Sequence, residues 1–409
     1  MNTRSIVLLL ATLSGCGGDG ISSHPTQDMA LAPDLSHNPA CDPMTQSTTP
    51  HTPTPALAFS HGDENKFAAG NNVIALVLAD VNNDHKLDVI AVDNGLDSMN
   101  GGLAVLLGNG DGTLAAAHTI PAGDAPSAVA AADLDADGNV DLIVTNNGPG
   151  SITQIDVLLG KGDGTFAAPV PYTVGSRTRG VVARDLNGDC KLDLAVANPD
   201  TSAVTVLMGN GDGTFGAANA IPVGQSPFWL VATDLNRDGV VDLVAADFQD
   251  GNLSVLTGHG DGSFTTTAAT VGAPQSFVAV ADLDGDGSPE AITTASNYVD
   301  RITVLANDGH GLLGNPAGIA TTSVPWWISS ADLDDDGRAD LAVAESNAGK
   351  TPNGVDVFLN GANGLQSPIA IPTSDQSQAV ELGDVNGDGL PDIVVAGLTS
   401  VSVFLNTSK

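Results

Sequence analysis

Asp133, Asp135, Asp137 and Asp141 stand at positions 1, 3, 5 and 9 of the stretch DLDADGNVDLIV. Oxygens at that spacing surround a common centre, position 7 can add its backbone carbonyl, and Gly138 at position 6 lets the chain turn sharply. The chemistry this implies is cation binding. Hard oxygen donors in such number suit Ca2+, which takes about 6–8 oxygens, better than Zn2+ or Mg2+. A single loop of this kind would read as a solvated acidic turn.

The pattern D-x-[DN]-x-D-x-x-x-[DE] occurs six more times. The further sets are Asp80, Asn82, Asp84 and Asp88; Asp185, Asn187, Asp189 and Asp193; Asp234, Asn236, Asp238 and Asp242; Asp282, Asp284, Asp286 and Glu290; Asp332, Asp334, Asp336 and Asp340; and Asp384, Asn386, Asp388 and Asp392. Successive sets begin 48 to 53 residues apart, a period that a chance cluster would not keep. The chain is therefore a repeat protein with up to seven Ca2+ loops. An EF-hand begins in the same way but ends on a Glu at position 12 between helices. Here the last acid is at position 9 and strand residues follow at once (DLIV, DLAV, DLVA, DIVV), so each loop belongs to a β-hairpin. Loops 2, 5 and 6 carry four carboxylates and the others three plus Asn, and tighter binding is expected in loops 2 and 6. His85 and Cys190 stand where the other loops have Gly, so strain is expected there.

The elements that must hold these loops can be read from one unit. SAVAAADL leads into the acidic loop, DLIVTNN follows as a second strand, ITQIDVLL as a third, GKGDGT as a turn and FAAPVPYTV as a fourth. The turn recurs from Gly108, Gly160, Gly209 and Gly258, with degraded forms from Asn307 (NDGHGLL) and Asn360 (NGANGL). Asp-Gly pairs supply the positive φ that tight hairpins require. Units of four antiparallel strands, repeated seven times, predict an all-β fold: a seven-bladed β-propeller of four-stranded blades with Ca2+-binding hairpin loops. The Trp-Asp signature of WD40 units and the nine-residue period of RTX rolls are both missing. Residues 56–70 (ALAFSHGDENKFAAG) look like a third-strand end, a turn and a fourth strand with no unit before them, while the seventh unit lacks its fourth strand. An N-terminal strand is expected to close the ring beside residues 401–406, because an open stack would leave two sheet edges in water.

On these residues the units resemble FG-GAP-like (VCBS-type) repeats, which build the seven-bladed propeller of integrin α subunits. The resemblance covers about residues 57–406. It implies Ca2+ in the hairpins and a binding role for the propeller, and it implies no particular ligand.

Composition bounds the partners. With 13 Lys plus Arg against 48 Asp plus Glu, the formal charge is −35. A polyanion of that size lacks the basic side chains that nucleic acid or an anionic lipid surface would need. Residues 1–15 read as a signal peptide, with Arg4 before a short apolar core, and LSGC resembles the lipobox of bacterial lipoproteins, making Cys16 the lipidation site. Residues 16–55 are rich in Ser, Thr and Pro and read as a flexible tether, leaving residues 56–409 for the propeller. The expected location is the cell envelope, lipid-anchored at the outer membrane or cell surface, with membrane contact only through the lipid. Cys41 and Cys190 are not spaced as a metal pair, and whether they form a disulfide is left open.

Just before the first strands stand Arg177 and Arg179 in unit 3, Phe228 and Trp229 in unit 4, Phe277 in unit 5, and Trp326 and Trp327 in unit 6. These face the end away from the acidic loops, where the second-to-third connections repeat Asn94, Asn147, Asn198, Asp247, Asn297 and Asn347. Such a ring could serve a glycan or protein ligand by stacking and amide hydrogen bonds, or it could plug the axis. No G-x-S-x-G or H-E-x-x-H occurs, and the His residues are scattered, so no enzyme is expected. The expected function is a binding or adhesion module. The alternatives are an assembly scaffold and, less favoured, a Ca2+-dependent polysaccharide-acting enzyme.

Overall fold

The structure is a computed structural model that describes residues 57–60, 65–95, 101–148, 154–295, 299–346 and 354–408. The signal segment, Cys16, the whole tether including Cys41, and Asn297 and Asn347 lie outside the described residues. Cys190 is disulfide-bonded, and both other cysteines of the chain are among those outside.

Seven four-stranded antiparallel sheets make the molecule a seven-bladed β-propeller. The described residues contain no α-helix, and 3-10 structure occurs in short pieces such as Pro199–Thr201. From the axis outwards, blade 1 runs Val73–Ala79, Asp88–Asp93, Gly102–Leu106 and His118–Pro121. Blade 2 runs Pro126–Ala132, Asp141–Asn146, Gln154–Leu158 and Val170–Thr173, and blade 3 Val181–Arg184, Asp193–Asn198, Ala203–Leu207 and Asn219–Pro222. Blade 4 is Pro227–Thr233, Asp242–Asp247, Asn252–Gly258 and Phe264–Thr270, and blade 5 Gln275–Ala281, Glu290–Ala295, Arg301–Asn307 and Leu313–Ala320. Blade 6 is Pro325–Ala331, Asp340–Glu345, Gly354–Phe358 and Ile369–Pro372. Blade 7 takes Ala379–Gly383, Asp392–Ala396 and Ser400–Phe404 from the end of the chain and Lys66–Ala68 from its other end, with Lys66 opposite Ser402 and Ala68 opposite Ser400. Residues 57–60 continue that contact, since Phe59 bridges Asn406 and the Ser60 amide donates to the Leu405 carbonyl at 2.8 Å.

Burial follows distance from the axis. Second strands are covered on both faces and read as unbroken apolar runs, such as Leu142, Ile143 and Val144, each 0% exposed. Outer strands such as Val170–Thr173 are largely exposed. The core lies between blades rather than within one: Ile143 and Val157 of blade 2 pack with Val181, Leu194 and Leu207 of blade 3, and the same pattern continues around the ring.

Two features position the functional ends. Every acidic loop joins a first strand to a second strand, so all of them lie at one end. At the other end, the first strands of blades 1, 2, 4, 5 and 6 begin with a register shift, between Val73 and Ala75, Pro126 and Ala128, Pro227 and Trp229, Gln275 and Phe277, and Pro325 and Trp327. A bulge interrupts the alternation that would send neighbouring side chains to opposite faces.

Candidate functional site

Each acidic loop is a nest of turns made by its own carboxylates. The position 6 amide donates to the position 1 carboxylate at 2.7–2.9 Å in all seven loops. The position 7 amide donates to the position 5 carboxylate at 2.7–3.1 Å. Asn82, Asn187, Asn236 and Asn386 each accept the position 5 amide through Oδ1 at 2.8–2.9 Å, as Asp135 and Asp284 do at 3.2 and 3.0 Å. His85 and Cys190 take the turn with φ of 62° and 63°, the left-handed conformation that glycine adopts at less cost.

The position 9 acid has a role that its spacing alone did not reveal. One oxygen accepts the position 2 amide of its own loop at 2.8–3.0 Å. In six blades the other accepts the backbone amide at the end of the third strand at 2.7–2.8 Å, from Gly108, Gly160, Gly209, Gly258, Asn360 or Asn406. Glu290 accepts the corresponding Asn307 amide. Position 9 is thus a strut between the acidic loop and the third-to-fourth turn as well as an oxygen donor.

These carboxyls are strained as charges. Burial pushes Asp88, Asp193 and Asp242 up to about 6 and Asp141, Asp340 and Asp392 up to about 7, and raises Glu290, with neighbouring loop carboxylates adding to the rise; at position 1 of loop 6 it also pushes Asp332 up to about 6. A cation beside such a group would favour its ionised form. Carboxylate oxygens of Asp133, Asp135 and Asp141, of Asp282, Asp284 and Glu290, and of Asp332, Asp334 and Asp336 converge within 4.8 Å of one another. These clusters can hold a metal ion, and their all-oxygen donors fit a hard divalent cation. The loops differ in the cations already beside them. Lys86 and Lys191 lie 3.4 and 3.6 Å from Asp84 and Asp189, and Arg237 of loop 4 reaches across to Asp286 of loop 5 at 3.2 Å.

The third-to-fourth turns also lock the seams. The position 2 carbonyl of every acidic loop accepts a hydrogen bond from the next blade. In blades 1 to 4 the donor is the second glycine of the GDG turn, with Gly112 on Val385, Gly164 on Val81, Gly213 on Leu134 and Gly262 on Leu186, at 2.9–3.3 Å. In blades 5 to 7 it is the Nδ2 of Asn307, Asn360 and Asn406, on Leu235, Leu283 and Leu333, at 2.7–2.8 Å. The turns that look degraded in sequence have exchanged one donor for another. A glycine is needed where no such Asn stands: a Cβ on Gly209 would lie 2.0 Å from the Leu192 carbonyl.

At the opposite end a cavity of about 110 Å3 opens on the axis, with all seven blades contributing. Its aromatic lining is Phe228, Trp229, Phe277, Trp326 and Trp327, with Arg179 beside them and small or aliphatic residues such as Gly180 and Ile74 completing it. The bulges let Phe228 and Trp229, and likewise Trp326 and Trp327, line the same opening. Six of the seven predicted ligand-face residues therefore meet here; Arg177 is exposed beside the cavity and donates from Nε to Asn147 at 3.3 Å. Three of these rings fit the second of the two readings, a plug of the axis. Phe277 and Trp327 are each 5% exposed and Trp229 is partly buried, and the three pack tilted and edge-on with centroids 4.5–4.9 Å apart. They are a plug. Phe228 and Trp326 stay partly exposed above it, with centroids 6.1 Å apart.

Sequence reasoning missed Glu381, which lies under the plug. It accepts hydrogen bonds from Trp327 Nε1 at 3.3 Å and Ser329 Oγ at 3.1 Å, and burial pushes its carboxyl up to about 8. The repeated amides hold turns: Asn94 donates to the Pro126 carbonyl at 2.8 Å and Asn198 to Thr205 Oγ1 at 2.7 Å.

The FG-GAP-like repeat family matches residues 80–144, 133–196, 185–245, 234–293, 282–343 and 332–395, each window running from one acidic loop to the second strand of the next blade. The chain belongs to the FG-GAP-like repeat family. Among solved structures, this FG-GAP-like propeller is similar to a lectin from Agrocybe aegerita described as recognising non-reducing terminal N-acetylglucosamine. The identity is 19% and the TM-score 0.52, over 79% of this chain and 85% of the lectin. It is also similar to BBS1N, solved in complex with ARL6DN, at 14% identity and a TM-score of 0.57, over 86% of this chain and 97% of that one. At these identities the likeness concerns the fold.

Proposed function

We propose that this FG-GAP-like propeller is an exported, Ca2+-stabilised binding module, held at the cell envelope by a lipid on Cys16, and that its axial mouth receives a glycan. Ca2+ in the acidic loops would neutralise carboxyls that burial makes costly to ionise, at the carbonyl-bearing loops where each blade meets the next. The observation that carries the ligand half is the open axial mouth itself, an aromatic-lined cavity at which Phe228 and Trp326 stay partly exposed, and an aromatic lining at a small opening suits a sugar ring. The lectin's fold supports the reading, since a likeness of this kind includes a protein described as recognising a sugar. We assign no catalytic role, because no nucleophile and base stand together among the cavity residues.

The test is a glycan array in Ca2+ with the intact chain and with Trp326→Ala, which spares the buried Trp327. Binding that is lost in a variant melting like the parent supports recognition at the mouth. Absence of binding to every glycan favours the alternative, a scaffold that only supports assembly.

A further inference from the structure

The mouth contains a charge without a partner. Arg179 lines the cavity and sits over Phe228, its guanidinium carbon 4.6 Å from the ring centroid. A cation over a ring is attracted by the π face without using up its N–H donors. Among the described residues no carboxylate pairs with it. Its charged neighbour is instead Arg177, and burial together with that second cation pulls its pKa down to about 10. Glu381 does not offset it, because burial holds that carboxyl up near 8 and hence protonated at neutral pH. In a chain with 13 basic and 48 acidic residues, two arginines beside one cavity with no acid between them form a local exception. A half-buried cation facing another cation is unfavourable until an anion arrives.

From this cavity we infer that the ligand carries a carboxylate that Arg179 binds: one acidic sugar at the end of an otherwise uncharged glycan. The inference rests on the proposed glycan-binding reading and narrows it. Guanidinium and carboxylate match as planar, bidentate partners, while the aromatic lining, with Trp326 partly exposed, gives the ring that bears the acid apolar contact. Size and field restrict the ligand to a single charge. A cavity of about 110 Å3 is well below the roughly 300–1,000 Å3 of drug-sized pockets and takes one terminal residue. A polyuronate would bring many negative charges against a protein of formal charge −35, and only the first would meet a cation.

The test is calorimetric titration of the Ca2+-loaded chain with three oligosaccharides that share a neutral body: one ending in glucuronate, one in its methyl ester, and one in glucose. The expected result is that the acid binds about 10-fold to 100-fold tighter than the ester, as charge-assisted hydrogen bonds imply, and that the gap narrows in high salt. Arg179→Gln should erase the difference in affinity between acid and ester. If that variant misfolds, the comparison of acid and ester on the parent chain still decides. Equal affinity for acid and ester overturns this inference and leaves the glycan reading intact; failure of all three to bind, with no binding on the array, removes both. A peptide C-terminal carboxylate binding as tightly as the acidic sugar would overturn the assignment to a sugar.

Discussion

A buried carboxyl at Glu381 sets a pH dependence on the whole fold. It is 7% exposed, and burial outweighs the hydrogen bonds from Ser329 and Trp327, so its pKa rises from 4.5 to about 8. A raised carboxyl pKa means that the folded state keeps a proton that the unfolded chain gives up. This contribution is complete below about pH 4.5 and is lost as pH rises through about 8. In Ca2+-saturated protein, Glu381→Gln should therefore gain stability on the parent as pH climbs, by as much as about 5 kcal/mol when urea midpoints are compared on either side of that window. Parallel curves for the two proteins would contradict this account. The residue was illegible in QAVELGDVNGDG, because alternation in a strand assigns a Glu between Val380 and Leu382 to solvent, and an axial strand has no solvent face. The acidic loops were legible for the opposite reason: their chemistry lies within nine consecutive residues.

The seams are a matter of elements, where sequence reading went part of the way. Blade count, strand order and the placement of the loops followed from the period and from alternation. The strut at position 9 did not, because its second partner lies 14 to 20 residues away at the end of another strand. A signal was present in the exchange of Gly108, Gly160, Gly209 and Gly258 for Asn307, Asn360 and Asn406 at the same place in the unit. It reads as decay until the carbonyl of the preceding blade is seen within reach. Asn360→Ala removes a buried donor from the Leu283 carbonyl and should lower stability by about 1–3 kcal/mol in chemical denaturation, whereas Asn210→Ala, on an exposed turn, should change it by less than about 0.5 kcal/mol. The bulges are the other illegible element. Two adjacent tryptophans in a strand predict one inside and one outside, and the register shift at Pro325 gives both the same opening.

Taken as a whole, the ring depends on contacts between segments more than three hundred residues apart, with the Ala58 amide on Ser408 and the Leu405 amide on Ser60. Deleting residues 57–68 should lower the melting temperature far more than deleting twelve residues of the tether; equal melting would remove closure as a source of stability. On the proposed Ca2+ reading, chelation would act on every seam at once. Millimolar EDTA should lower the melting point relative to millimolar Ca2+, each site contributing RT ln(1 + [Ca2+]/Kd), and identical curves would show that the acidic loops hold together without the ion. The aromatic plug has one more consequence. All three tryptophans of the chain stand at the mouth, so its tryptophan emission comes from that one place, and an unlabelled sample carries its own optical reporter of whatever enters.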